Sequence, residues 1–211
     1  MPLSRGRLDL GGNDVRAQGP GDSFLDQSII TPVTTVGNAT LTAAQLVSGI
    51  IRRTGPTAGY ADIFPSADSL LTAVPQLGVG DSFKLNFINT VAFANTPTGA
   101  EGVVLGNNTG VALSAARQYL ISILGDGVRQ AFNAATTNAS NVVTGLDAIA
   151  IANIRPGQGV TGTGIPANAF VTSVNQTARS FTISANATAT GIPAVTSFPR
   201  YQVDGLFSAT L

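Results

Sequence analysis

The chain has 211 residues, of which 44% are hydrophobic and only 10% charged, and its 11 basic and 11 acidic side chains cancel. It contains no Cys and no His, which excludes a disulfide framework, a thiolate metal site and the usual form of a Ser-His-Asp triad. A typical domain is about 25% charged; so low a charge with no net sign favours association, and predicts a surface partly covered by other subunits.

Residues 1–35 are predicted to form an extended arm. Gly6, Gly11, Gly12, Gly19, Pro20, Gly21 and Pro32 oppose a long helix. Seven of the 22 charged side chains fall here, with mixed signs, so the segment is not a polybasic nucleic-acid arm. Its spaced apolar residues, Leu3, Leu8, Leu10, Val15, Phe24, Leu25, Ile29 and Ile30, suit an arm laid on another subunit better than a solvated tail. Candidate partner-binding residues are therefore Leu3, Arg5, Arg7, Leu8, Leu10, Val15, Arg16, Phe24 and Leu25. The start of the chain lacks the apolar core of a signal peptide, and no stretch has the roughly eighteen apolar residues of a membrane helix. A protein made and used without secretion is expected.

Thr42-Ala-Ala-Gln45 is a capping-box pattern that opens a short helix through Ser48, with Gly49 as its stop. Ile50–Arg53 reads as a strand. A second short helix starts after Pro65 with Ser66 as its cap, carries Leu70 and Val74 on one face, and ends at Pro75. Phe83, Leu85 and Phe87 then alternate with Ser82, Lys84 and Asn86. This is the clearest strand in the chain, and its apolar face is predicted to be buried. Val103–Leu105 and Gln118–Leu124 are further strands.

The composition changes after about Phe132. Residues 133–140, rich in Ala, Thr and Asn, read as a linker or polar edge. Short strands follow at Ile149–Ile151, Gly159–Thr161, Phe170–Val174, Phe181–Ser184 and Val195–Phe198. Arg200–Phe207 reads as a last strand returning to the first domain. The expected fold is mainly β: a small β-sandwich or barrel domain with two short helices, a second small β module, and the N-terminal arm. The boundaries read as 1–35 for the arm, 36–135 for the β domain completed by 199–211, and 136–198 for the module as an insertion.

No motif carries chemistry. Gly157–Gly162 matches a dinucleotide fingerprint in spacing, but Thr-Gly-Ile-Pro follows where a helix should open. Lys84 is the sole lysine and sits within a strand, so there is no phosphate-binding loop. Asp62 and Asp68 flank Pro65 without the marks of a catalytic pair. Catalytic, metal and cofactor sites are all expected to be absent, as are nucleic-acid and membrane partners.

Gly157-Gln-Gly-Val-Thr-Gly-Thr-Gly-Ile-Pro166, Val171-Thr-Ser-Val-Asn175 and Phe181-Thr-Ile-Ser184 resemble a small β module that recurs in virion proteins of tailed bacteriophages. Gly162 and Gly164 suit positive φ in its turn, and Ile165 would point inward. Thr42–Leu46 with Ile50-Ile51, then Pro65, Leu70-Leu71, Gly80–Phe83 and Asn89-Thr90, are more loosely similar to head-decoration and fibre-like proteins. The resemblance implies a non-enzymatic protein that decorates and cements a phage capsid, as a homotrimer bound to the major capsid protein, assembled in the host cytoplasm and resident on the capsid surface. A fibre, spike or tail protein, or a carbohydrate-binding module of a virion, is the alternative.

Overall fold

The computed structural model describes residues 29–107 and 109–210 in full, together with the backbone of Arg7–Asp9 and Asp14–Arg16. The chain is mainly β. It divides into two compact units, one made of residues 1–73, 80–122 and 202–211, the other of residues 74–79 and 123–201.

Arg7–Asp9 (β1) and Asp14–Arg16 (β2) pair antiparallel, Leu8 opposite Val15. The other candidate arm residues, Leu3, Arg5, Leu10, Phe24 and Leu25, lie outside the described residues, as do the side chains of Arg7, Leu8, Val15 and Arg16. In chain order the first unit continues with β3 (Ile29–Val33), α1 (Ala43–Val47), β4 (Gly49–Arg53), β5 (Ile63–Phe64), α2 (Ala67–Ala73), β6 (Ser82–Asn89), β7 (Thr98–Gly99), β8 (Val103–Leu105) and β9 (Ala115–Gly125). The second adds β10 (Gln130–Asn133), β11 (Val142–Val143), α3 (Ala148–Asn153), β12 (Gly159–Gly162), β13 (Val171–Asn175), β14 (Ser180–Ile183) and β15 (Ala194–Phe198), before β16 (Arg200–Thr210) closes the chain.

The first unit is built on a six-stranded sheet in the order β3-β4-β6-β9-β16-β8. β3, β4 and β6 run parallel, and β6 pairs antiparallel with β9. Helices α1 and α2 lie in the two connections that parallel neighbours require. Both start as their sequences dictate. Thr42 caps α1 in a complete capping box with Gln45, and the Ser66 Oγ accepts the Ser69 N–H at 3.3 Å. Phe83, Leu85 and Phe87 are buried on one face of β6 while Lys84 is exposed, as the alternation predicts. Tyr119 joins them from β9, edge-on to Phe64 and Phe87 at 5.6 and 6.2 Å.

Two boundaries differ from the sequence reading. The arm cannot run to residue 35, because Ile29–Val33 is a strand of the main sheet, in register with Gly49–Arg53. Spaced apolar residues made this stretch read as arm; pairing with β4 makes it a strand. Ile29 and Val33 turn their backbone groups toward β4, so alternation leaves Ile30 and Pro32 on the free edge, where Pro32 has no N–H to offer a further strand. The second correction concerns the module, which begins near Ile123 rather than 136. Residues 133–140 are no linker: Ala134 is fully buried, and Ala135 and Thr136 bridge to Thr144 and Gly191.

The second unit holds two three-stranded sheets, β10-β15-β12 and β11-β14-β13. Their apolar core cluster includes Val143, Ile151, Val160, Val171, Phe181 and Val195. The strand expected at Ile149–Ile151 is the helix α3. Asp147 caps it by accepting the Ala150 N–H at 2.6 Å, and Ala and Ile in its short run bury Ala150 and Ile151 on one side. In the turn after β12 only Gly164 takes positive φ; Gly162 is needed because a Cβ there would lie 2.7 Å from the Ala194 carbonyl oxygen. Ile165 packs inward on the core.

Candidate interaction site

Because β3, β4 and β6 are parallel, their carboxyl ends, Val33, Arg53 and Asn89, lie at one end of the sheet. The loops that leave them, 34–38, 54–61 and 90–97, gather there. The segment 109–114 joins them, because antiparallel β9 begins at that end with Ala115 opposite Asn89. Such ends are where open sheets with parallel strands place their functional loops.

A buried polar network braces these loops. Arg53 and Asp62 are both fully buried, with Nε 2.9 Å from Oδ2. This pairing is an ion contact outside hydrogen-bond alignment, since Nε meets no acceptor along its N–H direction. The rest of the guanidinium is spent on backbone. Nη1 donates to the Val33 and Thr35 carbonyls at 3.1 and 3.0 Å, and Nη2 donates to that of Gly37. Asp62 in turn accepts the Ala39 N–H at 3.0 Å and the Asn95 Nδ2 at 3.3 Å. Burial pushes its carboxyl above the usual range, while Arg53 and the Ala39 N–H pull it back. Tyr60 lies against the guanidinium, ring centroid to Cζ 4.8 Å, and donates to Asn89 Oδ1 at 2.9 Å. Asn89 closes the set by donating to the Phe93 and Ala112 carbonyls at 2.7 and 2.9 Å.

Arg53 of β4 thus holds the loop after β3, and Asn89 of β6 and Asp62 hold the loop after β6. Glycine helps: a Cβ on Gly55 would run into the Thr34 carbonyl. The arrangement does no evident proton or group transfer. Its ionisable groups are sealed from solvent and committed to backbone partners. Among the described residues no group of three or more acidic side chains is placed to hold a metal ion, and no helix is long and apolar enough to cross a membrane.

What the loop end offers outward is uncharged: small and Thr-rich, with three large apolar side chains. Val36, Phe93 and Leu113 are exposed. In the second unit Thr136, Thr163, Thr190, Ile192 and Pro193 line a shallow open cleft of about 290 Å³ with no ionisable side chain.

Sequence reasoning missed the network. Its signal was present in the alternation: Arg53 shares a face with Ile51, and Asn89 shares one with Phe83, Leu85 and Phe87. A polar residue in phase with a buried face has to find partners, because an unpaired one costs about 1–3 kcal/mol or more. Compared with models of protein families, with curated proteins and with solved structures, the chain matches none.

Proposed function

We propose that this is a non-enzymatic structural protein of a tailed-phage virion, which decorates and cements the capsid by binding across subunits of the major capsid protein, as a homotrimer. The observation that carries a structural role is the fate of the ionisable groups: Arg53 and Asp62, fully buried, hold loop backbone. The virion setting rests on the resemblance at Gly157–Pro166, Val171–Asn175 and Phe181–Ser184.

Attachment falls to the segment before β3, residues 1–28. There Leu3, Leu8, Leu10, Val15, Phe24 and Leu25 supply apolar side chains, each contributing roughly 1.5–3 kcal/mol if buried on a partner. Fixing the backbone costs about 1–2 kcal/mol per residue, so backbone hydrogen bonds to the partner must supply the balance. Arg5, Arg7 and Arg16 add pairing with acidic groups that salt screens.

The test is reconstitution. The full chain should bind undecorated capsids in many copies per particle, and a chain beginning at residue 29 should fold yet bind far more weakly. Equal binding by both would move attachment to the folded units. No binding by the full chain to any capsid surface would end the cementing reading.

A further inference from the structure

We infer that the loop end of the first unit is a contact with further copies of this chain, arranged around a symmetry axis. This rests on the reading above that the protein self-associates, and names the surface that does it.

The argument is one of charge. Segments 34–38, 54–61, 90–97 and 109–114 contain a single ionisable residue, Tyr60, and it is buried. The remaining side chains there are Thr, Ala, Asn, Ser, Pro and a few large apolar ones. Val36 is 70% exposed, Leu113 58% and Phe93 37%. These segments are neighbours. Asn89 ties Phe93 to Ala112, the Ala61 N–H donates to Asn38 Oδ1, and the Tyr60 N–H donates to the Ala94 carbonyl.

Near a symmetry axis a residue approaches its own copies, so every charge there meets a like charge. An uncharged surface avoids that repulsion. A contact with a different protein is ordinarily specified by complementary charges, and these four segments carry none to offer, the nearest exposed one in sequence being Arg52 of β4. Its shape is also set in advance. The loops are braced from below by Arg53, Asp62 and Asn89, so docking orders little that is not already ordered, which lowers the entropic cost of association.

The test is the mass of the full chain in solution, by sedimentation or light scattering at micromolar concentration. Wild type should be an oligomer. Val36→Asp combined with Leu113→Asp should reduce it to the single-chain mass of 21.4 kDa with an unchanged circular dichroism spectrum. Ile149→Asp, placed on the 77% exposed Ile149 of α3, should leave the oligomer intact. Phe93→Ala should weaken association without adding charge, which guards against misfolding of the double variant. An oligomer that survives the double substitution overturns the surface and leaves self-association standing. A wild type of single-chain mass overturns both, and a loss of capsid binding by the double variant would then assign the surface to the capsid.

Discussion

The two units use their buried polar groups differently. The first places an ion pair and two Asn side chains beneath its loops, where they bind loop backbone and one another. The second buries an apolar cluster and braces its loops with single neutral side chains, Thr136 Oγ1 donating to the Ala189 carbonyl and Gln176 Nε2 to that of Ile151. The difference follows from what each must hold. Strands β10–β15 bury enough apolar area between them to need no ion pair beneath their loops. The loops 34–38, 54–61 and 90–97 are rich in Gly, Ala and Thr and have little apolar area to bury. Only directional bonds from neighbouring strands can give them one shape.

The largest effect should come from breaking the ion pair on one side. Arg53→Ala leaves the Asp62 carboxylate buried with its main counter-charge gone and takes the guanidinium donor from the Thr35 and Gly37 carbonyls, and should cost about 3–5 kcal/mol in denaturant unfolding. Removing both charges in a packed Arg53→Met, Asp62→Leu variant should cost clearly less than the sum of the single changes. Additive losses would show that the two groups do not act as a pair.

In the apolar parts the cost should follow volume. Phe87→Ala in the first unit and Phe181→Ala in the second should each lose about 3–5 kcal/mol, whereas Ser82→Ala should stay within about 0.5 kcal/mol. A comparable loss at Ser82 would mean that the faces of β6 are reversed.

Alkaline pH sharpens the comparison next. The chain has three tyrosines, and Tyr60, Tyr119 and Tyr201 are all buried. Burial raises all three above their usual value, with Asp62 adding to the rise at Tyr60 and Arg53 opposing it. A phenol raised in the folded state contributes stability that is fully present below the unfolded pKa of about 10 and is lost as pH rises beyond it. Tyrosinate absorbance should therefore stay low through pH 10 and then appear together with unfolding. A smooth titration near 10 in folded protein would show that at least one ring is accessible.

The smallest effect concerns α3. Asp147→Ala removes its cap and should cost about 1 kcal/mol. No change would argue that the core contacts of Ala150 and Ile151 alone hold the helix.

Local chemistry written in the sequence determined a good deal. The capping box at Thr42–Gln45, the Ser66 cap and the alternation in β6 each depend on a few adjacent residues, and so each was legible. So were most strands of the second unit and the return of β16, because turn residues punctuate them. Ile149–Ile151 misled because Ile-Ala-Ile fits a short strand or a short helix equally, and the Asp147 cap decides between them. Only the tertiary structure decided that β3 belongs to the sheet, that β3, β4 and β6 run parallel, and hence that Val33, Arg53 and Asn89 meet at one end. Parallel pairing joins residues tens of positions apart through crossovers, and nothing in a strand's own period reports which neighbour it takes. The Arg53–Asp62–Asn89 network is a product of that pairing: the alternation marks these residues as buried, but only the sheet order brings their partners within reach.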